Sequence, residues 1–328
     1  MKKAIIILLV IVAACFLCAN LNYLMSIIDA MQGGALIPLV IACIIMVARH
    51  VVQAMSYNEA FGAVGQKTGL WHNIVLIFSL VFINTFCLFS GATGVAFIID
   101  DAHRKGLDIG TSTSGAILSQ IGYFAAVFII SIIGFTTMLI AGTMNAVFLI
   151  GGLLLAGTLL VLVSFFLLGF YKPGWLVKVF RVVENAINKV IGIAKRHLPK
   201  NWGKATAQSF INSALVLAHN PKGAIITVFY AAASALLNMA CLIAIGVAFG
   251  FDNVAALVAA FSVAAIAVIL SPTPQGVGVV EAAIAAILTS AGCSLSVATA
   301  IALVYRGIMF WIPFCIGAVL LSQSGFFK

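Results

Sequence analysis

Charge is what this sequence lacks most. Only 8% of its 328 residues are Asp, Glu, Lys or Arg, against about a quarter in ordinary soluble domains, and a water-soluble surface cannot be made from so few. A phosphate-binding Gly-Lys loop and a nucleophile elbow are missing too, which removes the common soluble nucleotide-hydrolysing and acyl-transfer chemistries. His72 and His219 stand without carboxylate or cysteine partners at metal-ligand spacing. Cys15, Cys18, Cys43, Cys87, Cys241, Cys293 and Cys315 all lie in apolar runs, where cysteine behaves as a small hydrophobe. Cys15 and Cys18 have CxxC spacing, but no His or second pair accompanies them, so neither a metal nor a cofactor is expected.

What the chain has instead is apolar length. Apolar residues make up 64% of it, and charge-free runs cover 4–28, 30–48, 73–99, 109–171, 223–251, 253–280, 282–305 and 307–327; a transmembrane helix needs about 20 such residues. The reading is an all-α integral membrane protein with one polytopic domain over 1–328. Candidate helices are 4–25, 35–55, 73–90, 114–140, 144–170, 222–250, 253–271 and 294–322. The first resembles a signal peptide, with Lys2 and Lys3 before an apolar core. Because the apolar run continues past Cys15 into another membrane segment, it is expected to stay as an uncleaved helix. Ser90-Gly91-Ala92-Thr93-Gly94 and Ser271-Pro272-Thr273-Pro274-Gln275-Gly276-Val277-Gly278 interrupt two apolar stretches, since proline and glycine at such density do not continue a helix.

The few charges set the orientation. Lys and Arg number 17 against 8 Asp and Glu, and Lys172, Lys178, Arg181, Lys189, Lys195, Arg196, Lys200 and Lys204 fall in one loop. Short basic loops stay cytoplasmic, so this loop and Lys2 and Lys3 are placed inside; the basic excess is topology, not a nucleic-acid site. If every apolar segment crossed, five crossings would separate these two inside regions, an odd number. A re-entrant hairpin at 73–104 repairs this: it enters from the cytoplasm, turns at Ser90 to Gly94 and returns with His103, Arg104 and Lys105 inside. A second hairpin, 253–291, enters from outside after Asp252, turns at Pro272 to Gly278 and leaves outside. Six spanning helices and two opposed re-entrant hairpins result, in a bacterial cytoplasmic membrane with both termini cytoplasmic.

Opposed hairpins followed by a helix, 73–140 and 253–322, read as an inverted repeat. Gly91-Ala92-Thr93-Gly94-Val95 aligns with Gln275-Gly276-Val277-Gly278-Val279, and Gln120 falls opposite Arg306. Broken helices at mid-membrane are a transporter architecture, because unwound backbone can line a polar site there. Between the two units, the basic segment 171–204 places Trp175, Val179, Val183, Ala186, Val190 and Ile193 at helical spacing. Lys178, Arg181 and Lys189 lie largely elsewhere on the wheel, and Lys195 and Arg196 follow. Such a helix rests on the inner leaflet with its cations at anionic headgroups, or acts as a topology anchor alone.

A central membrane Arg costs about 2.5–3.5 kcal/mol on insertion scales, so an intramembrane ion is a functional candidate. Arg306 has 24 uncharged residues before it and 21 after, and Glu281 lies three residues beyond Gly278. A helix starting at Gly278 presents free N–H groups to an anion, and Arg306 adds a guanidinium fork suited to phosphate. Glu281 can pair with Arg306 or receive an amine from a zwitterionic headgroup. The alternative is a static pair, with Glu281 capping its own helix and Arg306 neutralising it. Arg49 and His50, placed near the inner end of the second helix, read as snorkelling residues.

Ser271-Pro272-Thr273-Pro274-Gln275-Gly276-Val277-Gly278-Val279-Val280-Glu281, followed by Ala298 to Ala302 and Tyr305-Arg306, resembles the signature of the lysylphosphatidylglycerol synthase transmembrane family, and the segment order is similar from about 5 to 322. That family includes the flippase half of bacterial multiple peptide resistance factors, linked to antimicrobial peptide resistance. The resemblance implies a flippase for an anionic or aminoacylated phospholipid, such as lysyl-phosphatidylglycerol, and puts Pro274, Gly276, Gly278, Glu281 and Arg306 on motif positions. Members usually carry Gly-Glu and an Arg after the first break and a Glu-Arg pair in the next helix. Here Gly94-Val95 and Ser119-Gln120 stand there, so Gly91, Gly94 and Gln120 are first-repeat counterparts stripped of charge, which bears on the aminoacyl-lipid substrate. The lysyltransferase reaction implies a soluble domain for which this chain has no room, so an enzyme is not expected. The alternatives are the membrane part of a phosphatidylglycerol lysyltransferase, another lipid-headgroup enzyme, or a non-catalytic partner of a separately encoded synthase. Implied partners are membrane phospholipids, such a synthase, and a second copy of the chain.

Overall fold

A backbone in lipid must satisfy its own N–H and C=O groups, and a helix does this within one segment. The computed structural model describes residues 18–65, 68–85, 90–106, 108–142, 146–191, 201–271 and 273–323, and among these every regular element is helical. In chain order they are α1 (Leu21–Gln32), α2 (Leu36–Ala63), α3 (Leu70–Thr85), α4 (Ser90–Arg104), α5 (Ile109–Ile140), α6 (Ala146–Tyr171), α7 (Pro173–Ile191), α8 (Trp202–His219), α9 (Pro221–Ala248), α10 (Val254–Leu270), α11 (Val279–Ser290), α12 (Leu295–Arg306) and α13 (Ile312–Gln323). A short 3-10 turn, Pro274–Gly276, follows α10, and a π-helical segment, Gly307–Trp311, joins α12 to α13.

Among the described residues, five stretches are long and apolar enough to cross a membrane: Leu36–Ala63, Ile109–Ile140, Gly152–Tyr171, Pro221–Ala248 and Leu295–Leu321. They turn large apolar side chains outward, among them Ile37, Ile44, Ile133, Leu153, Leu160 and Phe229, which a lipid solvent favours. The sixth expected span, 4–25, lies mostly outside the described residues, and its described end runs on through α1 to Gln32.

The hairpin arms are the short helices. Over its 16 described residues, α3 is about 24 Å long at 1.5 Å per residue, against a hydrocarbon core of about 30 Å. Its start meets the end of α4: His72 Nε2 lies 2.7 Å from Asp101 Oδ2, and Lys105 Nζ donates to the Thr68 carbonyl at 3.3 Å. The chain from Thr68 to Lys105 therefore enters and returns on one face of the bundle. Likewise α10 and α11 pack against each other on either side of the Pro274–Gly276 turn.

Two expectations need correction. Ser90 to Gly94 does not form a turn but opens α4; residues 86–89, which precede it, lie outside the described residues. Glycine without proline costs a helix about 1 kcal/mol and does not forbid it. The second helix does not stop at 55 but runs to Ala63, because Ser56 finds acceptors across the bundle, donating to the Thr227 carbonyl at 2.9 Å. Within the basic segment, α7 buries Leu176 and Phe180 against Phe210, Ile211 and Ala214 of α8, while Trp175, Val182 and Val183 stay exposed. Helix α8 itself was not legible, since Thr206, Ser209 and Ser213 break its apolar pattern; Ser213 Oγ donates to Thr111 Oγ1 at 2.8 Å and Ser209 Oγ lies 3.1 Å from the same atom, so these two serine hydroxyls are satisfied at the contact with α5.

The main core gathers α2, α9, α10, α11 and α12 around Met46, Leu242, Leu257, Ile284 and Ile301. At its edge Ala35 N donates to the Ala248 carbonyl at 2.8 Å, tying the α1–α2 turn to the end of α9. Small residues let helices approach closely where lipid supplies no hydrophobic drive for association. At Gly317 of α13 an added Cβ would meet the Phe78 carbonyl oxygen of α3 at 2.1 Å. Gly317→Ala is therefore expected to destabilise the protein by about 1–3 kcal/mol through overpacking, read as a lower melting temperature in detergent.

Candidate functional site

The Pro274–Gly276 turn makes the site possible. Gln275, Gly276 and Gly278 all have positive φ, at 53°, 74° and 86°, so the backbone doubles back and α11 starts afresh at Val279. Glu281 lies in its first turn, near the positive end of the helix dipole. Arg306 ends α12, which packs beside α11. The two side chains meet in the interior, only 7% and 6% exposed.

Arg306 Nε donates to Glu281 Oε1 at 3.0 Å and Arg306 Nη2 to the Gln275 carbonyl at 3.0 Å. The face of the guanidinium lies over Phe310, 4.5 Å from the ring centroid. Phe310 belongs to the π-helical segment directly after Arg306, a kind of insertion frequent at functional sites because it re-aims side chains. Glu281 Oε1 also accepts a hydrogen bond from Tyr23 Oη of α1, and the Tyr23 ring lies 5.9 Å from that of Trp311. Glu281 Oε2 is buried with no hydrogen-bond partner. Two of the five guanidinium N–H donors are used, leaving both on Nη1 and the second on Nη2 without a protein acceptor among the described residues.

The sequence-derived residues are thus brought together in part. Arg306, Glu281 and Gln275 touch, with Gln275 contributing its carbonyl and not its side chain; Gly276, Gly278 and Pro274 shape the turn. Glu281 turns its carboxylate to Arg306 and Tyr23. The first-repeat counterparts differ: Gly91 and Gly94 lie within α4, and Gln120 Oε1 stands 3.5 Å from Tyr57 Oη of α2. Lys178, Arg181 and Lys189 are exposed on α7, with Lys178 Nζ 5.1 Å above the Trp175 ring, while Lys195 and Arg196 lie outside the described residues.

Several residues escaped the sequence reading. Tyr23 sits 258 positions from Glu281, and its only signal was a phenol inside an apolar run. Arg49 and His50 do not snorkel: they stand midway along α2, and His50 is fully buried. Asn238 bridges two tyrosines, donating to Tyr123 Oη at 3.3 Å and accepting from Tyr305 Oη at 3.0 Å.

A comparison with curated proteins finds no match. Residues 4–317 do match the family described as the lysylphosphatidylglycerol synthase TM region, nearly the whole chain and both halves of the motif around Glu281 and Arg306. This multi-pass helical membrane protein belongs to the lysylphosphatidylglycerol synthase transmembrane family.

Proposed function

We propose that the chain is a phospholipid translocase, moving an anionic or aminoacylated phospholipid between the leaflets of a bacterial cytoplasmic membrane, with Arg306 and Glu281 as its headgroup site. One observation carries this reading: an ion pair in the bundle interior keeps spare capacity of both signs, N–H donors on Arg306 Nη1 and an unpartnered acceptor at Glu281 Oε2. The donors suit a phosphodiester, and the acceptor suits the ammonium of a zwitterionic or aminoacyl headgroup. A purely static pair would be expected to close on itself, because every unmet buried valence costs stability. Lys178, Arg181 and Lys189, with Lys195 and Arg196 beyond them, concentrate anionic lipid at the inner leaflet, each worth about 1 kcal/mol near a charged surface.

The test uses the purified full chain in liposomes carrying labelled phosphatidylglycerol or lysyl-phosphatidylglycerol. Movement between leaflets faster than in empty liposomes is expected for at least one of them, and no acceleration for either sinks the proposal. Lipid extracts separate a translocase from a headgroup enzyme, since deleting an enzyme removes a lipid species and deleting a translocase only changes the leaflet that holds it.

The same reading sets the sidedness. Cysteines introduced at positions 105 and 189, in a background without native cysteines, are expected to resist an impermeant reagent added to intact cells, whereas those at 252 and 292 react. Reaction at 105 would place the base of the α3–α4 hairpin outside and remove the opposed arrangement of the two hairpins.

A further inference from the structure

Arg49 is a second guanidinium inside the bundle, and its surroundings differ from those of Arg306. No carboxylate lies within ion-pair distance of it among the described residues. His50 holds it instead. The Nδ1 of His50 faces the Met46 carbonyl at 2.8 Å, so Nδ1 carries the hydrogen and Nε2 is left to accept from Arg49 Nη1 at 3.2 Å. Stacking on Phe78, with centroids 4.5 Å apart and planes 12° from parallel, keeps that ring in place. On its other side the guanidinium lies 6.0 Å from the Tyr123 centroid. Its Nε is buried and has no acceptor, yet part of the side chain remains accessible.

Neighbouring polar groups are closed on themselves. One turn along α2, Gln53 donates to Ser119 at 3.2 Å and accepts from Ser234 at 2.7 Å, and Ser56 pairs with Ser119 at 2.8 Å. Arg49 is left with spare donors and no negative charge. The Tyr123 hydroxyl accepts from Asn238, so its own proton is also free to be donated. Around this point the described residues offer donors and positive charge with no carboxylate at ion-pair distance, an arrangement that suits an oxyanion.

We propose that Arg49 and Tyr123 form a second anion site in the bundle, which takes the phosphodiester of a phospholipid headgroup. That the anion is a lipid phosphate rests on the translocase reading; the donor set itself specifies an oxyanion. Tyr123, Asn238 and Tyr305 link this site to Arg306, the next residue after Tyr305. Two moderate sites suit transport better than one deep one, because a transported group must leave each site it occupies.

The test is a titration of the purified full chain, in nanodiscs of phosphatidylcholine, with phosphatidylglycerol in one arm and inorganic phosphate in the other. Thermal stabilisation and native mass spectrometry read affinity and the number of retained lipids. Arg49→Gln is expected to lose one retained phosphatidylglycerol and to weaken binding about tenfold, the scale of a lost charged hydrogen bond. Tyr123→Phe, which keeps the ring, and Arg49→Lys, which keeps the charge, should each weaken the same step, so the proposal stays testable if Arg49→Gln fails to fold. Arg306→Gln should leave that step in place. Wild-type affinity and stoichiometry in Arg49→Lys and Tyr123→Phe overturn the site. An Arg49-dependent response to inorganic phosphate and none to phosphatidylglycerol overturns its lipid assignment. Liposomes that move no lipid while the Arg49-dependent step persists count against the translocase reading alone.

Discussion

Arg306→Met is expected to abolish the proposed phosphatidylglycerol movement between leaflets and to destabilise the protein by about 3–5 kcal/mol, the usual cost of breaking a buried pair by removing one partner. The variant leaves Glu281 in the interior with Tyr23 as its remaining contact, and it frees the Gln275 carbonyl that Arg306 Nη2 had engaged. Arg306→Lys keeps the charge but loses the planar fork that reaches Glu281 and Gln275 together, so folding is expected to survive while transport drops. The double variant Arg306→Met with Glu281→Gln is decisive, because replacing both ions by neutral groups is often tolerated or stabilising. Stability is expected to return in the double variant without transport. A double variant that is both stable and fully active would falsify the role assigned to Arg306 and leave a static pair.

The second large effect lies in the turn. Gly276→Ala introduces a left-handed alanine, costing about 1–2 kcal/mol, at a position where its Cβ would meet Val280 Cγ2 at 2.7 Å. Val280 is buried and stiff at χ1, so the turn must shift instead. That shift moves the neighbouring Gln275 carbonyl away from Arg306 and displaces the start of α11, which carries Glu281. Transport and melting temperature are both expected to fall. Gln275→Gly serves as the control: the contact with Arg306 uses the main chain, and glycine adopts the positive φ of 53° more readily than glutamine. Transport should survive there, and its loss in a stably folded Gln275→Gly protein would show that the side chain acts directly.

These two effects differ in how far the sequence announced them. The turn was legible because proline and glycine over 271–278 cannot continue a helix, a local property of the chain. The partnership of Arg306 and Glu281 was legible because both interrupt otherwise charge-free runs, and an ion in lipid needs a counter-ion. The share of Tyr23 was not, since nothing near residue 23 says that α1 packs against α12 and brings a phenol to Glu281. Arg49 was misplaced for a different reason. The second helix was expected to end at 55, which put Arg49 near its end; the hydroxyls of Ser56 and Tyr57 and the amide of Asn58 meet groups on other helices, so α2 continues and Arg49 stands at its middle.

The sequence by itself determined that this protein lives in a membrane, that its regular structure is helical and where its second break falls, because hydropathy, run length and the conformational limits of proline and glycine act on consecutive residues. Only the tertiary structure decided which polar groups meet and which are left over. Whether Glu281 keeps an open oxygen, whether Arg49 has a carboxylate near it and whether the two ends of the α3–α4 hairpin close on one another all depend on helices distant in sequence. Their contacts come from small residues and satisfied hydroxyls at the crossings, a three-dimensional fit that no local pattern records.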